Sequence, residues 1–504
     1  MSIADFLAEL RQELPEEAIS TDMALRAAQS RDVFISSGSV AAAVVRPADS
    51  RDLRTLVACA RRHGIQLRIR GGGLSYSGGY VPQSDTDVMV DLSGLSAIVA
   101  IDRANMFATV EAGCTWQTLR EALMPHGLEV DINAPVSGSH ATIGGGVSQG
   151  LPGDMSGVLS VGVVLANGDA IVTGSAGTTP SGIAFNRYHG PDLTGLFIGD
   201  CGIYGIKTHI TLRLRPVRPV AHACLVFADL PALVQAAARI GPSGLARRCM
   251  GLDPAKTKQA RPPTWTETAR VALDILRLGG PFQAARVGLG ALRPGSLEGW
   301  TLHITTTGPS DRAARDAMAQ LRKMCSNAIG EMSATVARAL HAQPFSIRGS
   351  AGRTGQAWVP VHGILPPSKA VEAGRALEAF LGERAAELSA RDIETGVLIS
   401  AGPAYVLIEP MLLWPDTLAP VVAEALGADR MKRFGHEQAC QDLRAYVSDM
   451  RAQLRDLLKS FDATFLQVGR YYRLDARRPL AGTLHKLRSA LDEDTTLNRG
   501  NCVL

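Results

Sequence analysis

No stretch of this 504-residue chain reads as a membrane span. Residues 269–292 come closest, but Arg270, Asp274, Arg277 and Arg286 interrupt them, so they fit a soluble helix and loop better than a segment lying on a membrane surface. C-x-x-C pairs are also missing. Eight cysteines are scattered at 59, 114, 201, 224, 249, 325, 440 and 502, a spacing that favours a reduced, cytoplasmic protein with small buried thiols over a disulfide framework. The first residues, Met-Ser-Ile-Ala-Asp-Phe-Leu-Ala-Glu-Leu, lack a basic region followed by an apolar one, so no signal peptide is expected. An excess of charge of one sign is lacking too. A net charge of +4 gives no reason to expect nucleic acid as a partner. What is present is ordinary globular material, 46% apolar and 20% charged, long enough for two or more domains.

Glycine is concentrated where it carries information. Residues 67–79 read Leu-Arg-Ile-Arg-Gly-Gly-Gly-Leu-Ser-Tyr-Ser-Gly-Gly, a short strand running into a loop that holds Gly71, Gly72, Gly73, Gly78 and Gly79. Glycine lets a backbone approach a ligand with no Cβ in the way, and successive N–H groups in such a loop converge on an anion. Arg70 stands at the loop's mouth, and Ser75 and Ser77 add hydroxyls. The segment fits a diphosphate cradle; taken alone, it also fits a flexible surface turn.

The following elements narrow the choice. Strands are predicted at 87–92 and 107–113, then a helix over 115–126 with Trp116, Leu119, Leu123 and Met124 on one face and Gly127 as its stop. A second glycine-rich turn follows at 141–148, then two β runs over 160–172 hinged on Asn167-Gly168, a strong hairpin signal. Gly199-Asp-Cys-Gly202 precedes a strand over 203–216 that ends in proline. Upstream, residues 1–35 read as a polar helical lead-in; Ala42–Val45 is a strand, and a helix from Asp49 to His63 is stopped by Gly64. From about 220 to 455, strands such as 223–227, 301–306 and 404–410 alternate with helices such as 311–325 and 368–388, suiting an antiparallel sheet covered by helices. Residues 241–266 read as a loop.

This order resembles the FAD-binding domain of the vanillyl-alcohol oxidase / p-cresol methylhydroxylase flavoprotein superfamily. The matching pieces are Arg-Gly-Gly-Gly (70–73), Thr-Ile-Gly-Gly-Gly (142–146), Val-Val-Leu-Ala-Asn-Gly (163–168), Pro-Asp-Leu (191–193) and Gly-Ile-Lys-Thr (205–208). The closing Leu491-Asp-Glu-Asp-Thr-Thr-Leu-Asn-Arg-Gly500 also matches, with Glu493 and Arg499 where the family has proline. The resemblance implies an α+β fold: a two-subdomain FAD-binding domain of p-cresol methylhydroxylase type over 36–217 after the lead-in 1–35, a substrate or cap domain with antiparallel sheet and helices over 218–455, and a segment 456–504 returning to the FAD domain. Residues expected to hold FAD are Arg70, Gly71, Gly72, Gly73, Leu74, Ser75, Gly78, Gly79, Pro135, Thr142, Ile143, Gly144, Gly145, Gly202, Gly205, Ile206 and Asn498.

Relatives that tether FAD covalently from the first loop carry histidine where this chain has Leu74, and others add a cysteine where it has His140, so noncovalent FAD is expected. Relatives that tether from the substrate domain do not align here, which leaves His303, His362, Tyr405 and His436 unassigned. Alkylphenol-oxidising members hold a phenolate between two tyrosines and an arginine, and the matching positions are Tyr76, Tyr472 and Arg473. Two phenol donors and a guanidinium suit an anionic oxygen; a core tyrosine beside a surface arginine explains Tyr472-Arg473 equally well. The family's acidic residue beyond Pro135 is Val136 here. His189, just before Pro-Asp-Leu, is a candidate base because imidazole titrates near neutral pH.

A second branch of relatives oxidises 2-hydroxy acids and often binds metal through His-x-x-Gly-Asp-Gly-Asn and Glu-His-Gly segments. Neither is present, Gly435-His436-Glu437 stands alone, and no metal is expected; Arg348, Arg353 or Arg473 would still suit a carboxylate. The expected activity is therefore hydride removal by FAD from a small substrate, a 4-hydroxybenzylic or 4-alkylphenol compound first and a 2-hydroxy acid next. Val136 and Arg499 keep a non-catalytic flavin-binding protein as the alternative. The electron acceptor stays open among oxygen, a cytochrome and a quinone, and the family leaves room for a homodimer.

Overall fold

The computed structural model describes residues 2–151, 153–255, 298–345, 355–426 and 440–502, with Leu273, Leu276 and Met431 in addition. Arg348, Arg353 and His436, most of 269–292 and the end of the 241–266 loop lie outside these residues. Among the described residues no helix is long and apolar enough to cross a membrane, and all eight cysteines are free.

Two compact units emerge, the first from residues 1–217, 419–425 and 466–504 and the second from 218–418 and 426–465. The returning tail begins at Leu466, because residues up to Lys459 belong to the long helix Gln441–Lys459 of the second unit.

In the first unit, local signals set the elements directly. Asp49 caps the helix Ser50–His63 by accepting from the amides of Arg51 and Asp52 at 2.7 and 2.9 Å. Leu53, Leu56, Val57 and Ala60 recur on one face and are fully buried, and Gly64 ends the helix at φ 67°. Strand Leu67–Arg70 then runs parallel to Val88–Asp91, which lies parallel to Ala43–Val45; Ile19–Ser20 closes the four-stranded sheet antiparallel. The inner two strands are buried throughout, as parallel strands require.

The unit's second sheet has six strands, all antiparallel, in the order Ile98–Asp102, Phe107–Glu111, Ile206–Pro216, Val158–Val164, Ala170–Val172, with Leu128–Val130 pairing the end of Ile206–Pro216. Gly168 takes φ 88° in the expected hairpin. One segment differs from expectation. Residues 141–148 are a turn only as far as Thr142, which caps a helix Ile143–Gln149. Three glycines disfavour a helix, but a Cβ on Gly144 would press into Ala112 and one on Gly146 would crowd Trp116. Close packing outweighs propensity there.

The second unit is built on a nine-stranded antiparallel sheet in the order Gly330–Met332, Val220–Phe227, Trp300–Thr307, Ala246–Leu252, Glu394–Gly402, Tyr405–Trp414, Gly363–Leu365, Thr464–Phe465, with Ala357–Pro360 also on Tyr405–Trp414. Helices Leu230–Ile240, Asp311–Met324 and Pro367–Glu383 pack against it, their apolar stripes inward.

His303 lies inside this sheet, 3% exposed, with Nε2 3.1 Å from Thr301 Oγ1. Burial holds its pKa down to about 4, against an ordinary 6.5. Between these values the unfolded chain binds a proton that the folded one refuses. Stability is therefore full above pH 6.5 and is lost as pH falls toward 4, by about 3 kcal/mol from this group. In denaturant titrations the unfolding midpoint of wild type should fall over that window more steeply than that of His303→Gln.

Candidate functional site

Immediately after Leu67–Arg70 the backbone amides stop pairing. Among the described residues, the N–H groups of Gly71, Gly72, Gly73, Leu74 and Ser75 donate to no protein acceptor. Five successive open donors in a glycine-rich loop suit a polyanion, and leaving them unmet would be costly. The same stretch has no room for side chains. A Cβ on Gly71 would overlap Thr142 Oγ1, and one on Gly72 would overlap the carbonyl oxygen of His140. Backbone thus lies directly on backbone, and the loop is held against residues 140–142.

The second glycine-rich segment works differently. The amides of Ile143 and Gly144 donate to Cys114 O and Ala112 O at 2.8 Å each, and that of Gly145 to Thr142 Oγ1 at 3.1 Å. These residues spend their donors on the fold, placing His140 to Thr142 beside the first loop. Pro135, half-buried, accepts from Gly138 N at 3.0 Å, in the turn leading to that segment.

Arg70 faces inward. Its Nη1 reaches the carbonyls of Gln29 and Arg31 at 3.4 and 3.3 Å, and its guanidinium lies 5.0 Å over the Tyr80 ring. Gly73, at φ 72°, leaves space that the Arg70 guanidinium fills, and Tyr80 Oη donates to Gly73 O at 2.6 Å. Burial raises the Tyr80 pKa, keeping the phenol a donor. Leu74 is half-buried. Ser75 Oγ donates to Gln467 Oε1 at 3.2 Å. Gly78 N is already taken by Asp32 Oδ2 at 2.7 Å, and Gly79 O accepts from Asn501 Nδ2 at 2.8 Å. Gly78 and Gly79 therefore anchor the far end of the loop.

Asn498 is the central clamp. Its Oδ1 accepts from Ile69 N and its Nδ2 donates to Cys201 O, both at 2.9 Å, while its own N–H donates to Leu67 O at 2.9 Å. Gly202, at φ 70°, makes room for this amide. Gly205 lets Ile206–Pro216 close on Val163, and Ile206 is a buried strand position opposite Val164. Asn498→Ala removes these side-chain bonds and leaves the half-buried Ile69 N–H unmet, while Cys201 O keeps its bond from Asn501 Nδ2 at 3.1 Å. The variant should lose about 1–3 kcal/mol, read as a lower unfolding midpoint for the first unit.

Tyr76 and Tyr472 are both buried, and their segments adjoin: Arg470 N and Tyr471 N donate to Ser77 O at 3.1 and 3.0 Å. The Tyr471 and Tyr472 rings meet edge to face at 4.7 Å. Arg473 is exposed. Arg470 clamps the carbonyls of Gly78 and Val81, and its pKa is pushed down to about 10 by burial and then by the charge of Arg68. His189 lies elsewhere in character: it is exposed, and its Nδ1 sits 2.8 Å from Thr178 Oγ1 in its own loop. In the second unit His362 Nε2 lies 3.2 Å from Glu409 Oε2, and Tyr405 is half-buried.

Asp32, Tyr80, Gln467, Arg470 and Asn501 were not legible as site residues. Asp32, Arg470 and Asn501 bind backbone far away in sequence, Gln467 meets the Ser75 hydroxyl, and Tyr80 reaches back to Gly73 O, so no motif spacing marks them; only Arg470, beside Tyr471-Tyr472-Arg473, carried any signal.

Comparison with known proteins agrees with this geometry. Residues 41–174 match the FAD binding domain family. Glycolate oxidase subunit GlcD of Bacillus subtilis (strain 168) is 30% identical over 224 residues, 43% of this chain and 46% of that protein. D-lactate dehydrogenase of Archaeoglobus fulgidus is 32% identical over 184 residues, 34% of this chain and 38% of that protein. The chain thus matches less than half the length of these curated relatives. Over 99% of the chain, the fold superposes on 4-ethylphenol oxidase from Gulosibacter chungangensis with TM-score 0.73 at 18% identity, covering 97% of that chain. Substrate-bound p-cresol methylhydroxylase follows at TM-score 0.69 and 15% identity, with 99% and 96% covered.

Proposed function

We propose, from the match of residues 41–174 to the FAD binding domain family and the fold shared with p-cresol methylhydroxylase, that the chain is an FAD-dependent oxidoreductase removing hydride from a small organic molecule. The observation that carries this reading is the run of five open amides at Gly71–Ser75, in a loop where Gly71 and Gly72 have no space for a side chain. Those donors would hold the paired phosphates, with Thr142 and His140 as the backing wall. When bound, FAD supplies a two-electron acceptor. We take it as noncovalent, since neither Leu74 nor the His140 position repeats the residues that tether it in relatives.

For the substrate, the favoured class is a 4-hydroxybenzylic or 4-alkylphenol compound. Buried Tyr76 and Tyr472 would donate to its phenolate oxygen, and exposed Arg473 would lend positive charge. His189, committed to Thr178, has no part in this chemistry as proposed. A second reading, a 2-hydroxy-acid dehydrogenase, is favoured by the sequence matches to a glycolate oxidase subunit and a D-lactate dehydrogenase. Arg473 would then meet a carboxylate.

The purified protein should be yellow and release its flavin on acid precipitation. Anaerobic mixing with vanillyl alcohol, p-cresol and D-lactate in parallel should bleach it with one class. Bound flavin that no donor reduces would support a non-catalytic binder, and a colourless protein that ignores added FAD would end the proposal.

A further inference from the structure

We propose that Glu9, Cys59 and His63 form a site for one zinc-type divalent cation, pinning the first helix of the chain to the helix Ser50–His63. Helix Ile3–Glu13 packs against Ser50–His63. Cys59 and His63 are four apart and share a helix face, and Glu9 meets them from the other helix. One ligand atom from each lies within 4.8 Å of the others.

Three observations go beyond proximity. Cys59 is fully buried, its Sγ 3.9 Å from Phe6 O. The His63 side chain is 5% exposed with Nε2 2.7 Å from Glu9 Oε2, while its Nδ1 is buried without a hydrogen-bond partner. Finally, Asp5, Glu9 and Glu13 recur every four residues along the first helix, an acidic row that lowers the cost of bringing a cation there.

The donor set decides the cation. One sulfur, one imidazole nitrogen and one carboxylate oxygen suit Zn²⁺ rather than Mg²⁺ or Ca²⁺, which take oxygen ligands. Zinc–ligand bonds are about 2.0–2.3 Å, which sets tetrahedral ligand atoms about 3.3–3.7 Å apart, so the Cys59 sulfur has to approach while the His63–Glu9 pair opens slightly, within side-chain reach. Binding forms bonds from the cation to Cys59 sulfur, one His63 nitrogen and one Glu9 oxygen. It releases the Cys59 proton to solvent, replaces the His63–Glu9 hydrogen bond with the neutral imidazole keeping its one proton on the nitrogen that does not bind, and breaks the Glu9–Arg62 pair; no electrons move. Arg62 is the competitor: it holds Glu9 Oε1 now, and its half-exposed side chain is free to swing into water. A fourth position stays open on the Glu9 side, where the carboxylate is 35% exposed.

The test uses the full-length protein stripped with a chelator, then titrated with Zn²⁺ by calorimetry and with Co²⁺ by difference absorption. Wild type should bind one equivalent, show a thiolate-to-cobalt charge-transfer band and melt at a higher temperature with Zn²⁺. Cys59→Ser should lose the band and bind Zn²⁺ at least about tenfold more weakly. Arg62→Ala should bind more tightly than wild type. Should Cys59→Ser fail to fold, Glu9→Gln at the exposed edge should show the same weakening. Absence of a saturable equivalent, or variants at Glu9, Cys59 and His63 that bind like wild type, would overturn the site.

Discussion

Gly72→Ala should produce a protein with at least about 100-fold weaker FAD binding, a loss of about 2.7 kcal/mol. The substitution adds one methyl group, and ordinarily that is mild. Here the new Cβ lands on the carbonyl oxygen of His140, which belongs to the backbone and has no rotamer to escape into. The two loops must move apart, and the open amides of residues 71–75 lose their common focus. Each charge-assisted bond to phosphate is worth about 1.5–3 kcal/mol, so one or two misdirected donors account for the loss. The control is Gly482→Ala, in the helix Pro479–Leu491 of the same unit, where a Cβ meets nothing within 4 Å. That change should leave FAD affinity alone and add a little helix stability. Isothermal titration of the stripped proteins measures both. Equal affinities for Gly72→Ala and wild type would remove the loop from the cofactor site.

The contrast between these two glycines shows what the sequence could and could not convey. Glycine clusters were visible, and so was the strand that feeds the first of them, because both depend on neighbours in the chain. Helix stops at Gly64 and Gly127 and the hairpin at Asn167-Gly168 were legible for the same reason: positive φ is a local demand. The separate duties of the two glycine-rich segments were not. Gly71 and Gly72 belong to an unpaired row of donors, whereas Gly144 exists to pack a helix on Ala112. Only the tertiary partner distinguishes the cases. Asn498 was picked out through the closing segment, but its geometry makes it a clamp between Leu67–Ile69 and Cys201. Asp32 escaped notice altogether, since an aspartate in a polar lead-in announces nothing until its carboxylate is found on Gly78 N.

Tyr472→Phe and Tyr76→Phe should each slow anaerobic flavin bleaching by a 4-alkylphenol by about 100-fold, the usual cost of one donor to a developing or resident oxyanion. Both rings are buried, and phenylalanine keeps their volume, so melting temperatures should change little. The power of the test lies in its second substrate. A 2-hydroxy acid offers a carboxylate, for which an arginine fork is the natural partner, and the phenol donors have no phenolate to serve. Arg473→Ala should therefore weaken either class, while the two tyrosine variants should weaken only phenols. If both tyrosine variants reduce flavin with p-cresol as fast as wild type, the phenolate pocket is wrong. If they are normal with p-cresol and D-lactate reduction alone collapses in Arg473→Ala, the hydroxy-acid reading takes its place. Because Ser77 O accepts from both Arg470 N and Tyr471 N, a third variant is informative. Arg470→Met removes the clamp on Gly78 and Val81 while keeping both phenols, and it should reduce flavin affinity and phenol turnover together, since it loosens the loop and the tyrosines at once.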